Sequence, residues 1–554
     1  MATFADATIG NAKPVTVSGY TAPNSNYLLT GQPSGFSASI YPVVSTFSKS
    51  GSSNWSTATE WTYAPIAGTE LEVQSGELIV DQNAAVKSIK LYPGAKLTLN
   101  SGQTLSATQN LTIQSDANST GTFVNNGGTL TVTSSTVQQY LSSGRNWYVS
   151  SPVSDATSAV FGAAISSTNP LYSYDEVAGT WPQITDNASA LTSMKGYFVN
   201  LPTSTVVNFT GTLNDGNKSA ALTNTAGLFG GYNLVGNPYP SYLDWQAVSV
   251  ANPDVLPTVW YRTRTLGNAY TFDTYNATGN ISTSNGPTKV TKLIPPMQAF
   301  WVSATVPTTL NLTNAMRFHS DASANRLKSA DANRSMLRMK LSNGVYSDEA
   351  LVYTDANATN GFDRYDSPKM FTDNTAIPEL YTMAGNEKLV INGLNTIQQD
   401  GEIPLYIKTS TAGSFVLQLS EVQLDNASLR VILKDKFMNT EQDLSDGAMY
   451  TFQSGAVTAD RFSLLFKSAT GLNTAVSANS MALFCNAEHQ IELNCSEKVA
   501  AHASLTIYNT LGQCMGSQKL DGNRTVVSVP LNAGVYMISV NNGGTVRTFK
   551  VCKD

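Results

Sequence analysis

Apolar and polar residues alternate in short runs along most of the chain, and turn residues cut the runs before a helical stripe can form. The clearest stretch is "ELIVDQNAAVKSIKLYPGAKLTLNSGQTLSATQNLTIQSD", where runs at 78–80, 89–91, 97–99 and 111–113 are separated by breaks such as "PG" and "SG". Strands of roughly three to five residues, punctuated so closely, suit the rungs of a short parallel β-helix over 51–142, each rung stacking its inward Leu, Ile and Val on the next. The irregular period leaves an ordinary β-meander open. Residues 1–50 alternate weakly and form an N-terminal β segment without a clear assignment.

A longer repeat follows. "RNWYVSSPVSD" (145–155) pairs with "GYNLVGNPYPS" (231–241), "LYSYDEVAGTW" (171–181) with "VWYRTRTLGNAYTF" (259–272), and "MKGYFVNLPTSTVVNFTGTL" (194–213) with "MQAFWVSATVPTTLNLTNAM" (297–316). The order is the same in both copies, which predicts a duplicated β-sandwich region over 143–318. Residues 319–335 are polar and lack alternation, as a linker does. Strand patterns resume over 336–467 at the spacing of an immunoglobulin-like β-sandwich. A second linker spans 468–480, and 481–554 form a terminal module. The expected fold is therefore all-β and multidomain, a short parallel β-helix followed by β-sandwich (jelly-roll or immunoglobulin-like) domains.

In the terminal module, "ASLTIYNTLGQCM" precedes "VVSVPLNAGVYMISVNNGGTVRTFKV". Glycines at 512, 534, 543 and 544 suit tight hairpin turns, and alternation places Tyr536, Ile538 and Val540 on one strand face. This pattern resembles the type A C-terminal sorting domain of type IX secretion cargo in Bacteroidota. Leu511, Gly512 and Gln513 match the family's turn motif. Leu531, Gly534, Val535 and Tyr536 match its second motif, and Lys550 falls in the basic last strand; the module's cysteines are not part of the pattern. The resemblance implies the type IX secretion machinery as a partner. It also implies a secreted or cell-surface location, after removal of an N-terminal signal that the given chain does not contain. Upstream, "LVGNPYPSYLDW" with "IPPMQAFWV", and "TNGFDRYDSPKM" with "IPELYTM", resemble an uncharacterised surface-protein architecture with no named activity.

Composition narrows the function classes. Only 13% of residues are charged and the net charge is −6, without a basic run, which argues against nucleic acid as a partner. No stretch reaches the roughly 18 apolar residues of a membrane-spanning helix, so no transmembrane segment is expected. Cys485, Cys495, Cys514 and Cys552 all lie near the end without zinc-site spacing, so disulfides and buried thiols both stay open. Histidine occurs only at His319, His489 and His502, so a Ser-His-Asp or Cys-His relay is excluded from residues 1–318. Paired carboxylates among Asp175, Glu176, Asp244 and Asp273 would be the remaining route to a polysaccharide-degrading enzyme, against the plainer reading of solvated acids. Asp355, Asn357, Asp363 and Asp366 offer oxygen ligands for calcium around a glycine turn, but Asx-turns explain them equally and the EF-hand spacing is missing. Catalytic and metal-ligating residues are thus not assigned.

The seven tryptophans lie between Trp55 and Trp301. Exposed rings would stack on sugars, whereas Trp147, Trp260 and Trp301, on or near equivalent strands of the repeat, favour core packing. The expected function is non-enzymatic: adhesion, through binding of glycan or a host or cell-surface protein. The alternatives are a carboxylate-based glycan-active enzyme and a structural surface-layer protein.

Overall fold

The computed structural model of the protein describes all residues except 9, 41–42, 167–168, 228–229, 266, 288, 320–333, 469–480, 486–489, 496–498, 511, 544 and 554; for 10–11, 163–164, 481–482, 484–485, 545 and 552 it describes the backbone alone. The fold is all-β, with Trp245–Ala251 as the α-helix among the described residues. The chain divides into two units, Met1–Asn426 with Val431–Leu465, and Ala427–Arg430 with Phe466–Asp554.

In the first unit, short strands stack in parallel. Val44–Asn54 pairs with Glu70–Val80, whose first half pairs with Ser88–Leu91 and whose second half pairs with Lys96–Leu99. One ladder continues to Asn110–Ile113 and Ser134–Leu141, another to Thr122–Asn125. A third joins Ala84–Val86, Thr104–Ala107 and Thr129–Thr131. Parallel neighbours normally need a long crossover, as between Val44–Asn54 and Glu70–Val80, but from Ala84 to Thr131 consecutive strands belong to different ladders, so a few turn residues suffice. Register sets like on like: Leu71, Ile89 and Leu111 align, as do Val73, Leu91, Ile113 and Val137, and Leu78, Leu97 and Phe123. All of these are buried, each contributing about 1.5–3 kcal/mol by leaving water. Ser134–Leu141 is then covered by an antiparallel strand, Thr205–Gly211, so this edge is not left open.

The next two sheets share one plan. Asn146–Val149, Leu171–Ser173, Gln183–Ile184 and Tyr197–Asn200 lie in the order first, fourth, second, third. Tyr232–Gly236, Thr258–Arg264, Tyr270–Asn276 and Ala299–Ser303 repeat that order, with Ile281–Ser282 added at the edge. The sheets meet reciprocally: Val149 bridges Gln298 and Val235 bridges Lys195. The Ser150 N–H donates to the Met297 carbonyl and the Gly236 N–H to the Met194 carbonyl, each at 2.8 Å. Equivalent residues thus exchange equivalent bonds, which is the signature of a local twofold axis. Met194 and Met297 both adopt left-handed backbone, φ 62° and 57°, although both are buried. Non-glycine residues rarely take that conformation, and the reciprocal bonds accepted by their carbonyls hold it here.

Residues 336–465 form mostly antiparallel sheet, with Met336–Ser342 between Ser347–Thr354 and Gly413–Gln423 and one parallel pair, Ser347–Thr354 with Glu387–Leu394. They pack on the second repeat sheet through Trp260 Nε1, which donates to the Pro368 carbonyl at 3.0 Å, and Asn276 Nδ2, which donates to that of Asp366 at 2.9 Å. Arg317 joins the ladder region to the repeat: its buried guanidinium pairs with Asp215 and donates to the Phe123 carbonyl at 2.9 Å.

In the second unit, Cys514–Lys519, Ser504–Tyr508, Gly534–Asn542 and Thr545–Lys553 form one sheet in that spatial order, and Met481–Cys485, Ile491–Cys495 and Arg524–Val526 form another. Both sheets contribute to one core, which includes Leu493, Leu505, Ile507, Ile538 and Val540.

Candidate functional site: an aromatic groove on the repeat sheets

Where the two repeat sheets meet, aromatic rings line an open groove of about 520 Å³. Strand alternation sends Tyr148 and Phe198 to the same side of the first sheet, where they pair with Arg262 and Trp301 from the second sheet. Phe198 and Trp301 occupy equivalent repeat positions, so the local axis brings them together. Tyr174 and Trp181 flank a turn closed by the Asp175–Thr180 bridge and capped by Asp175, which accepts from the Ala178 N–H at 3.1 Å. Tyr174 lies 4.8 Å and Trp181 5.8 Å from the Trp301 ring, both edge-on, and Trp181 lies 6.2 Å from Tyr148. Such offset and edge contacts stabilise the rings while leaving faces free.

Exposure distinguishes the tryptophans. Trp260 is 0% and Trp301 6% exposed, Trp147 is half-buried, and Trp181 is 37% exposed on the groove. The polar rim is small. Arg262 lies 4.4 Å from the Tyr270 ring centre and 3.9 Å from Asp373, a carboxylate that is itself 84% exposed. Burial pushes the Tyr148 hydroxyl above its ordinary pKa, so it stays protonated. The groove therefore offers apolar faces, one guanidinium and one carboxylate.

The acids named from the sequence have structural hydrogen bonds. Glu176 accepts from the Thr225 and Gly231 N–H groups at 2.8 and 2.7 Å. Asp244 caps the helix Trp245–Ala251 and pairs with Lys292 at 2.7 Å. Asp273 is buried and accepts from the Asn285 N–H at 2.6 Å. In the loop with Asp355, Asn357, Asp363 and Asp366, Asp355 accepts from the Asn357 N–H, Asp363 from those of Thr359 and Tyr365, and Asp366 from those of Asp363 and Gly393. The Asp355–Asn357 and Asp363–Tyr365 bonds are Asx-turn bonds, whereas the Asp366–Gly393 bond ties the loop to a distant strand. His319 packs against the ladders between Thr98 and Thr122, and burial lowers its pKa to about 3, so it is neutral. His489 lies outside the described residues, and His502 is exposed.

Residues 46–466 match the family described as a domain of unknown function, DUF8693. The chain belongs to the DUF8693 family. Residues 486–554 match the secretion system C-terminal sorting domain. This DUF8693 protein is thus a type IX secretion cargo, addressed to the outside of the cell or its surface, and the secretion machinery is its partner. No curated protein matches the chain. No helix among the described residues is long and apolar enough to cross a membrane.

Within the sorting domain, Gly512 takes φ 79° in the turn between Ser504–Tyr508 and Cys514–Lys519, and its N–H donates to the Asn509 carbonyl. The Gln513 N–H donates to the Asn509 side chain at 2.9 Å. Leu511 lies outside the described residues. Leu531 packs on the core, Gly534 and Val535 begin the strand Gly534–Asn542, and Tyr536 is buried with its hydroxyl donating to the Asn532 carbonyl. Lys550 is exposed opposite Met537. Cys495 is buried and Cys514 exposed, while the side chains of Cys485 and Cys552 are outside the description.

Sequence reading missed most of the groove. Tyr148, Tyr174, Phe198 and Arg262 stand in the aligned repeat stretches, yet nothing local separates them from core residues. The signal available was the repeat itself, because Phe198 and Trp301 align.

Proposed function

We propose that the exported DUF8693 region is a non-enzymatic adhesive module that binds glycan in the Trp181 groove, without a cofactor. In this reading the parallel ladders of residues 51–142 are a short β-helix that supports the duplicated sandwich carrying the groove. The observation that carries the proposal is Trp181, an indole presented to solvent beside the Tyr174 and Trp301 rings, where a sugar ring can stack. Asp373 is the one carboxylate among the described lining residues, which favours binding over two-carboxylate hydrolysis.

A glycan array probed with the full chain, with calcium and with a chelator, tests this. Selective binding that is independent of calcium is expected, and Trp181→Ala is expected to weaken it at least about tenfold, or ~1.4 kcal/mol. An array silent for wild type, or binding untouched by Trp181→Ala, would move the role to protein adhesion or to a structural surface layer.

A further inference from the structure

A second cavity, of about 330 Å³, shares Tyr148 and Arg262 with the groove. Its lining includes Arg145, Arg262 and Lys289, and no carboxylate occurs among the described lining residues. Three cations around one cavity run against the charge balance of a chain with net charge −6. Among the described residues, acids beside Arg145 and Lys289 are absent or already paired. Arg145 lies over the Trp147 ring at 4.2 Å rather than beside an acid. The acids whose fields reach Lys289, Glu421 and Glu349, are both paired with Arg338. Burial pulls both Arg145 and Lys289 below their ordinary pKa values, with further repulsion of Arg145 by Arg264 and of Lys289 by Arg338. Arg145 is half-buried with no described acid beside it, which is unfavourable, and an incoming anion that also reaches the exposed Lys289 would relieve it.

We propose that this cavity is an anion site and that the glycan taken by the groove is an acidic one, its carboxylate or sulfate held by Arg145, Arg262 and Lys289 while a neighbouring sugar stacks on Trp181. The proposal rests on the groove reading. Arg262 joins the two regions: it faces the Tyr148 and Phe198 rings at 6.0 Å, and its 3.9 Å separation from Asp373 exceeds a hydrogen bond, so its fork can turn to a ligand oxyanion.

The test compares dextran, dextran sulfate of the same length and polygalacturonate as ligands of the full chain, at low and high salt. Dextran sulfate separates sulfate recognition from the carboxylate recognition reported by polygalacturonate. At least one acidic polymer is expected to bind tenfold or more tightly than dextran and to weaken with salt. Arg145→Gln combined with Lys289→Gln is expected to cost tenfold or more without changing the thermal midpoint, and Arg145→Lys, which keeps the charge, to retain most of the binding. Dextran binding equal to that of both acidic polymers, no binding of either acidic polymer, or acidic-polymer binding unchanged in the double variant would overturn the inference. Trp181→Ala separates the two readings. Binding of dextran and of the acidic polymers alike that is lost with Trp181 but indifferent to the double variant keeps the groove and removes the anion site. Acidic-polymer binding lost only in the double variant keeps the anion site and removes the groove.

Discussion

The local axis of the repeat makes a demanding prediction at Gly236. A Cβ added there would lie 2.2 Å from Ser150 Cβ and 2.4 Å from Ser150 Oγ. Carbon atoms prefer about 3.5–4.0 Å, so the overlap exceeds roughly an ångström. The two backbones cannot slide apart cheaply, because the Gly236 N–H is bonded to Met194 and the Ser150 N–H to Met297, each at 2.8 Å. Gly236 has no positive φ, so an ordinary Gly→Ala change would gain about 0.4–1 kcal/mol by restricting the unfolded chain. Overpacking reverses the sign, and Gly236→Ala is expected to destabilise the first unit by about 1–3 kcal/mol.

Ser150 is the equivalent position of the other repeat, and its buried hydroxyl has no hydrogen-bond partner among the described residues. Ser150→Gly therefore clears the space and removes an unsatisfied group. The pair Ser150→Gly with Gly236→Ala, which moves the side chain across the axis, is expected to recover most of the loss, a coupling of about 1–3 kcal/mol. Urea unfolding followed by tryptophan fluorescence reads this directly, since all the tryptophans lie between Trp55 and Trp301 in the first unit. Gly236→Ala as stable as wild type, or no rescue by Ser150→Gly, would refute the close approach and the axis with it.

Three other outcomes follow from the same structure. Leu97→Ala, in the Leu78–Leu97–Phe123 stack, should cost about 2–5 kcal/mol in the same urea experiment, whereas Thr112→Ala on the outward side of its strand should cost under about 0.5 kcal/mol. Burial raises the Asp366 pKa to about 7 and that of Asp273 to about 6, so the folded state holds these protons more tightly than the unfolded chain does. Their stabilisation is complete below about pH 4 and is lost as pH rises through 6 to 7, so the calorimetric midpoint of the first unit should fall between pH 5 and pH 8, and Asp273→Asn should flatten the slope. Gly512→Val should lower the second unit's thermal midpoint and the exported fraction through backbone strain alone, since space around that Cβ is open, while Gly512→Asn should be milder because Asn tolerates the left-handed region.

The all-β character was written in the alternation itself, because a strand buries every second residue and the period survives without knowing the partner strand. The sorting domain was equally legible, since its identity rests on local turns and spacings such as Leu511 to Gln513 and Gly534 to Tyr536. The repeat could be aligned from sequence as well, and both copies have the same strand order. The groove could not be read in this way. Its walls come from positions as distant as Tyr148, Trp181, Trp301 and Asp373, brought together by reciprocal bonds between Val149 and Gln298 and between Val235 and Lys195. Burial depends on what packs from outside the strand: Trp260 is sealed by the segment at Pro368, while Trp181, at the exposed end of its turn, keeps its ring on the groove. Local pattern states which residues alternate, whereas exposure of an aromatic ring is a property of every neighbour that folding brings near it, and several of those neighbours come from distant segments of the chain.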